Sequence, residues 1–116
     1  MKQLNFIKGR EGEEKAVKFL KNKGYRILER NWHTRFGEID IICEKDKILV
    51  FVEVKTKTSD QFGEPWEMVN AHKIKQIQMT GEAYLQKFPI FNNQFPMKRI
   101  DIIGVYPGKI EHWENV

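Results

Sequence analysis

GEIDIICEKDKILVFVEVKTK, residues 37–57, is the stretch that decides the fold of this chain. Its two halves alternate in hydropathy as β-strands do, and this alternation puts Ile39 and Ile41 on one face. Residues 44–47, EKDK, form a short polar connection, so the two strands are predicted to pair as an antiparallel hairpin. Burying an unpaired carboxylate in such an apolar segment is costly, so its acidic residues need positively charged partners.

The register of the hairpin decides which carboxylates meet. With a two-residue turn, the numbers of paired residues add up to an odd constant, which puts Asp40 on the same face as Glu53. A turn at residues 46–47 sets these two carboxylates opposite each other, with Cβ atoms about 5 Å apart. A turn at residues 45–46 sets Glu38 opposite Glu53 instead. Either register gathers carboxylates on one patch of the central sheet.

Lys55 lies on the same strand face as Glu53 and can neutralise part of this charge. A hard divalent cation such as Mg²⁺ would neutralise the rest, because it binds carboxylate oxygens and keeps several waters. Such a site suits phosphodiester hydrolysis, in which a metal polarises phosphoryl oxygens while a lysine stabilises developing charge or orients the nucleophile. The alternative is an ordinary solvated Glu–Lys pair, the usual meaning of an isolated E-x-K pattern.

The rest of the chain alternates helices and strands. We predict helices over 10–23 and 66–87, strands over 25–31, 98–106 and 109–115, and loops over 32–37, 59–65 and 88–96. This order indicates an α/β fold with a central mixed β-sheet of about five strands flanked by helices. Two of its strands are expected to pair in parallel across the long helix. A length of 116 residues predicts one domain covering residues 1–116.

The composition is that of an ordinary globular domain with a slight excess of positive charge. Twenty Lys and Arg against sixteen Asp and Glu give a net charge of +4, which favours polyanions only weakly. Cys43 is the single cysteine and cannot form an internal disulfide. The sequence contains neither a signal-peptide core nor an apolar run long enough for a membrane span, so we predict a cytoplasmic protein. Arg99 and Asp101 are interpreted as a structural ion pair.

The ordered motifs of the chain resemble those of a nuclease family. GEIDII, residues 37–42, and VFVEVKTK, residues 50–57, are similar to the D…(D/E)-x-K signature of the restriction-endonuclease-like PD-(D/E)xK superfamily. More closely, the chain resembles the YraN-type family (UPF0102), which is related to Holliday-junction resolvases. The likeness extends over nearly the whole chain, through GREGEEKA, GYRILERN, FGEPWEMV, RIDIIGV and IEHWEN.

This resemblance implies a restriction-endonuclease-like fold and metal-dependent hydrolysis of DNA, with branched, Holliday-junction-like structures as candidate substrates. Asp40 and Glu53 would be metal ligands, together with the peptide carbonyl of Val54, and Lys55 would be the catalytic lysine. The implied cofactor is Mg²⁺ or Mn²⁺. Resolvases of this superfamily act as two-fold dimers, so a homodimer is expected by analogy.

Further candidates surround these residues. Glu13, on the first helix, matches an acidic residue that approaches the metal or its water in related nucleases, and we include it among the catalytic residues. Glu14 points about 100° away around the helix, so only one of the two can face the site. Lys73, Lys57 and Arg35 are candidate contacts for DNA phosphates, although a solvated position is the alternative for each.

Two other functions are compatible with the sequence. One is a nucleic-acid-binding module that has kept a nuclease-like fold without catalysis, and the other is an assembly subunit whose carboxylate patch belongs to a protein interface. The convergence of carboxylates argues against a pure binding module, because they would repel a phosphate backbone.

Overall fold

A five-stranded β-sheet forms the centre of the molecule in the computed structural model, which describes residues 2–57 and 69–116 and the side chains from residue 9 onward. Its strands follow one another in space as in the chain, and only one neighbouring pair, β3 with β4, is parallel. The elements are α1 (Lys2–Asn22), β1 (Arg26–Thr34), β2 (Gly37–Lys45), β3 (Ile48–Thr56), α2 (Ala71–Lys87), α3 (Ile90–Gln94), β4 (Met97–Tyr106) and β5 (Lys109–Trp113). The predicted α/β class, with a mixed sheet flanked by helices, is confirmed.

The hairpin of β2 and β3 has one of the two predicted registers. Both residues of its turn, 46–47, have positive φ angles, 52° and 65°, as a type I′ turn requires. The ladder runs from this turn to the pair formed by Ile41 and Val52. Extended by one residue, the same register sets Asp40 opposite Glu53, as the turn at residues 46–47 predicts.

Two clusters of buried side chains hold the helices against opposite faces of the sheet. Helix α1 packs through Ala16, Val17 and Leu20 on one face. Helix α2 packs through Ile77 and Tyr84 on the other face. Glu53 and Lys55 share the α2 face of β3 with the core residues Leu49 and Phe51, because alternate residues of a strand point the same way.

The prediction that Ile39 and Ile41 lie on one face is wrong. Ile41 belongs to the cluster under α1, whereas Ile39 packs with Trp32 in the cluster under α2. The regular alternation of β2 therefore breaks at Asp40. Asp40 is the first residue of β2 beyond the ladder with β3, so this pairing does not hold the strand to a regular pleat there.

Several helices and strands begin or end at residues other than those predicted. Helix α1 begins at Lys2 rather than at residue 10, and β1 continues through Thr34, so part of the predicted loop 32–37 is strand. Residues 69–70 are not helical, and the predicted loop 59–65 and residues 66–68 lie outside the described residues. Helix α2 begins after Asn70 because the side chain of this residue accepts a hydrogen bond from the Lys73 N–H at 2.9 Å and caps the helix.

Helix α2 continues through Gly81 without a break. A Cβ atom at this position would lie 2.8 Å from the ring of Phe51, so the glycine lets the helix approach the sheet closely. A glycine inside a helix lowers helix propensity, but here it serves the packing of α2 on β3.

The predicted loop 88–96 contains the short helix α3, and this part of the prediction is wrong. Phe91 stacks on Tyr84 with ring centroids 5.9 Å apart, and Phe95 is buried beside it. The two prolines and the asparagine pair suggested a loop, but aromatic packing on α2 fixes one helical turn. Within the described residues, no helix is both long and apolar enough to cross a bilayer.

The predicted ion pair between Arg99 and Asp101 forms and is buried. The guanidinium donates to both oxygens of Asp101 at 2.8 Å, while His112 and the Asn115 N–H complete the shell of this fully buried carboxylate. Burial alone would raise the pKa of Asp101, but these hydrogen bonds outweigh it and hold the pKa below its usual value. Tyr25 accepts a further hydrogen bond from Arg99, which ties the chain after α1 to β4.

Candidate functional site

The carboxylate of Asp40 lies where β2 and β3 separate. The ladder between these strands ends at Ile41 and Val52, whereas β3 stays paired with β4 as far as Thr56. In the gap, Asp40 Oδ2 accepts a hydrogen bond from the Val54 N–H at 2.8 Å. Because the N–H and C=O groups of one strand residue point to the same side, the carbonyl of Val54 is directed toward this gap as well.

Glu53 lies beside this gap with two ammonium groups around it. Glu53 is only 6% exposed, and its strand, β3, is hydrogen-bonded to β4. Lys55 Nζ is 3.6 Å from Glu53 Oε1, and Lys73 Nζ is 3.8 Å from Glu53 Oε2. Lys73 comes from the first turn of α2, so the helix brings a predicted phosphate contact directly to a predicted metal ligand.

The negative charge of the site exceeds the positive charge around Asp40. Burial, with further contributions from Glu53, Glu13 and Glu38, raises the pKa of Asp40 from 3.8 to about 7. The hydrogen bond from the Val54 N–H acts in the opposite direction and is outweighed. A carboxyl group in these surroundings holds a proton more tightly than an exposed carboxyl group does.

Burial also raises the pKa of Glu53, and Glu38 adds to this effect. The ammonium groups of Lys73 and Lys55 act in the opposite direction, but they do not cancel the cost of burial. The carboxylates of Asp40 and Glu53 and the carbonyl of Val54, which is directed toward the gap, are three oxygen donors at one edge of the sheet. Hard divalent cations take ligand sets of this kind.

Glu13 approaches Asp40 from helix α1, on the opposite face of the sheet from α2. Asn31 Nδ2 donates to both of its carboxylate oxygens, at 3.1 Å and 3.0 Å. Glu14 pairs with Arg30 at 2.7 Å, whereas Glu13 is the one that contributes to the raised pKa of Asp40. Of the two neighbouring acidic residues, Glu13 is therefore the one that faces the site, and the site draws on both layers of helices.

Sequence reasoning missed Asn31. It lies in the motif GYRILERN, but an asparagine at the last position of the predicted strand 25–31 has no periodic signal that marks it. Its positive φ angle of 50°, unusual for a residue inside a strand, is visible only in the structure.

The other two predicted phosphate contacts lie in different surroundings. Lys57 follows the end of β3 and is 8% exposed, in the wall of a cavity that Gly12 and Lys15 also line. Arg35 is exposed in the turn between β1 and β2, with its guanidinium carbon 5.0 Å from the centre of the Phe36 ring. Of the three basic candidates, Lys73 is thus the one in ion-pair contact with Glu53.

Away from this gap, another group of side chains meets the distances of a metal site, and it is the one group of three His, Cys, Asp or Glu residues in the described part of the chain that does so. Asp101, His112 and Glu114 offer ligand atoms that lie within 4.8 Å of one another. The Arg99 guanidinium, however, donates to both oxygens of Asp101 and lies 3.6 Å from Glu114. Because a resident positive charge already occupies this group, its geometry is that of a buried ion-pair network.

Comparison with known proteins shows the relationships of the chain. The model of "Uncharacterised protein family UPF0102" matches residues 12–105. UPF0102 proteins of Persephonella marina and Syntrophomonas wolfei are each 47% identical to this chain, covering 97% of it and 94% and 98% of their own lengths. A UPF0102 protein of Flavobacterium psychrophilum is 43% identical over 92% of this chain and 90% of its own length. The chain therefore belongs to the UPF0102 family.

Proposed function

We propose that this protein is a nuclease that uses a divalent cation to hydrolyse phosphodiester bonds of DNA. The observation that carries the proposal is the convergence of Asp40, Glu53 and Lys55 at the gap between β2 and β3. Keeping two carboxylates with raised pKa values together, with Glu53 buried and Asp40 half-buried, is unfavourable for a protein without a ligand there. It is explained by a cation that the carboxylates bind and a reaction that the cation assists.

The residues of the gap fit Mg²⁺ or Mn²⁺. Asp40 and Glu53 would hold the cation with the carbonyl of Val54, and all three supply oxygen, the ligand atom that these ions prefer. When bound, the cation polarises the phosphoryl group and lowers the pKa of a water that attacks it. The excess of negative charge around Asp40 supports this assignment, because a divalent ion removes it.

Lys55 and Lys73 would stabilise the negative charge of the phosphate and of the transition state. Lys55 lies against Glu53, so its ammonium is held next to the ligand set, where it can donate to an oxygen that gains charge in the transition state. Lys73 Nζ lies 3.8 Å from the second oxygen of Glu53 and brings a positive charge from the first turn of α2 to the same edge. Together they also attract a phosphate to a site that is otherwise acidic.

We extend the proposal to branched DNA, including Holliday-junction-like structures, and to a homodimer. Symmetric cleavage of two strands needs two sites related by a two-fold axis. Membership of the UPF0102 family supports the assignment of the fold and of the motif residues, but it names no substrate. Both extensions therefore depend on experiment.

A cleavage assay tests the proposal. Purified wild-type, Glu53→Ala and Glu82→Ala proteins are incubated with labelled linear, single-stranded, flapped and four-way-junction DNA in Mg²⁺, Mn²⁺ or EDTA. Glu82 is an exposed residue on α2 and serves as the matched control. We expect cleavage that requires the metal, is lost in Glu53→Ala and is kept in Glu82→Ala. Binding without cleavage under every condition would favour the non-catalytic binding module, and the absence of binding would favour the assembly subunit.

A further inference from the structure

Asn31 has an unusual backbone for its place in the sheet. It lies inside β1 between two regular pairs, Arg30 with Ile41 and Trp32 with Ile39, which puts it across from Asp40. Its φ angle is 50°, in the left-handed region that residues with a side chain seldom adopt. Asparagine tolerates this region better than most residues, but a regular strand does not require it.

The side chain of Asn31 has one clear contact. Its amide nitrogen lies between the two carboxylate oxygens of Glu13, at 3.1 Å and 3.0 Å. This is the position that a cation would take if Glu13 chelated it through both oxygens. Each carboxylate oxygen keeps a further lone pair, which can accept a hydrogen bond from another donor.

Stability does not explain this arrangement. Asn31 is exposed, and an exposed hydrogen bond contributes little to the free energy of unfolding because water competes for both partners. The left-handed backbone costs free energy in the folded state. Strain of this kind is kept at functional sites when it directs a side chain.

We propose that Asn31 is a positioning residue that fixes the carboxylate of Glu13 beside Asp40 for a divalent cation bound there. This inference rests on the proposed function. Because the amide blocks chelation through both oxygens, Glu13 uses its free lone pairs to accept hydrogen bonds from water around the cation. Removing a group that orients the surroundings of a metal in this way typically lowers the affinity of the protein for the metal by about 10- to 100-fold.

The test uses substitution by glycine, because glycine adopts a positive φ angle without strain. Asn31→Gly removes the amide and keeps the backbone, and Asn115→Gly makes the same change at φ 55°, outside the site. The affinity of the full chain for Mn²⁺ is measured by titration calorimetry, and thermal unfolding is followed in EDTA. We expect Asn31→Gly to unfold at the wild-type temperature or above and to bind Mn²⁺ about tenfold more weakly. Asn115→Gly should bind Mn²⁺ as wild type does.

A second pair of variants shows whether Asn31 acts through Glu13. If it does, Asn31→Gly should weaken Mn²⁺ binding in the wild-type background and have no further effect in Glu13→Gln. An effect of equal size in both backgrounds, or no effect in either, overturns the positioning role. Glu53→Ala separates this failure from that of the proposed function. If Glu53→Ala abolishes Mn²⁺ binding while Asn31→Gly does not change it, only the role of Asn31 fails; if Glu53→Ala also binds normally, both proposals fail.

Discussion

Asp40 accepts a hydrogen bond from the Val54 N–H at 2.8 Å, at the point where β2 no longer pairs with β3. A side-chain carboxylate thus takes the place of a strand partner, and it does so between two layers of helices. The cost of burying that carboxylate without a cation determines how the metal-free protein should respond to pH.

Asp40→Asn should stabilise the metal-free protein at pH 8 and should do so clearly less at pH 5. The pKa of Asp40 rises from 3.8 to about 7 on folding, so between these values the folded state binds a proton that the unfolded state has lost. The contribution of Asp40 to stability therefore falls as the pH rises from about 4 to about 7 and then stays level. Asparagine keeps an acceptor for the Val54 N–H without the charge, and we expect a gain of about 1 to 3 kcal/mol at pH 8.

Urea unfolding in EDTA at the two pH values measures this difference. Glu82→Gln, a change of the same kind on the exposed side of α2, should show no such dependence on pH. A gain for Asp40→Asn that is equal at pH 5 and pH 8 would contradict a raised pKa as the cause.

Lys73→Met should have opposite effects on cation binding and on cleavage. The Lys73 ammonium lies 3.8 Å from Glu53 Oε2 and competes with a cation for that carboxylate. Its removal should tighten Mn²⁺ binding by about three- to tenfold, because a like charge is lost from the site. Cleavage of DNA should become slower at saturating Mn²⁺, because a phosphate loses one of its counter-charges.

Calorimetry and single-turnover cleavage measure the two effects on the same samples. Lys75→Met, at an exposed lysine in the same part of α2, should change neither of them by more than about twofold. Weaker Mn²⁺ binding in Lys73→Met would show that the lysine organises the ligands rather than competing with the cation.

Gly81→Ala should destabilise the protein although alanine is the better helix former. The added Cβ would lie 2.8 Å from the Phe51 ring, so either the ring or α2 must shift. We expect a loss of about 1 to 3 kcal/mol in the free energy of unfolding, which exceeds the gain in helix propensity of about 1 kcal/mol. Phe51→Leu in the same chain should recover part of this loss, because a smaller side chain makes room for the methyl group. Equal losses with and without Phe51→Leu would rule out the predicted contact.

Asp101→Ala should be among the most destabilising substitutions in the described part of the chain. It leaves Arg99 partly buried without the carboxylate that holds it, and it removes an acceptor from His112. Breaking a buried pair from one side costs about 3 to 5 kcal/mol, which chemical unfolding measures directly. Glu111→Ala breaks an exposed pair with Lys109 and should cost less than about 1 kcal/mol. A similar small cost for both would show that the network does not stabilise the fold.

The local parts of the site could be predicted from the sequence. The two-residue turn sets the register of the hairpin, and this register, extended by one residue beyond the ladder, puts Asp40 across from Glu53. The resemblance to a nuclease family added Glu13, which lies in another element and has no periodic relation to the hairpin. The structure adds that Lys73 reaches Glu53 from the first turn of α2.

Other features depend on tertiary packing and could not be predicted in this way. The face of Ile39 changes because β2 leaves β3, and α3 forms because Phe91 finds the ring of Tyr84. The left-handed backbone of Asn31 follows from neither composition nor periodicity. In each case a contact between distant parts of the chain overrides the local preference.

The two-residue turn between β2 and β3 also has a consequence for the order of folding. A hairpin closed by so short a loop needs few residues to be ordered, whereas the parallel pairing of β3 with β4 requires the chain to cross over through α2. We therefore expect the carboxylates of Asp40 and Glu53 to meet early, before Lys73 arrives with its positive charge. At that stage the ammonium of Lys55, on the same strand as Glu53, lies beside the two carboxylates, and the charge of Lys73 is added when α2 docks.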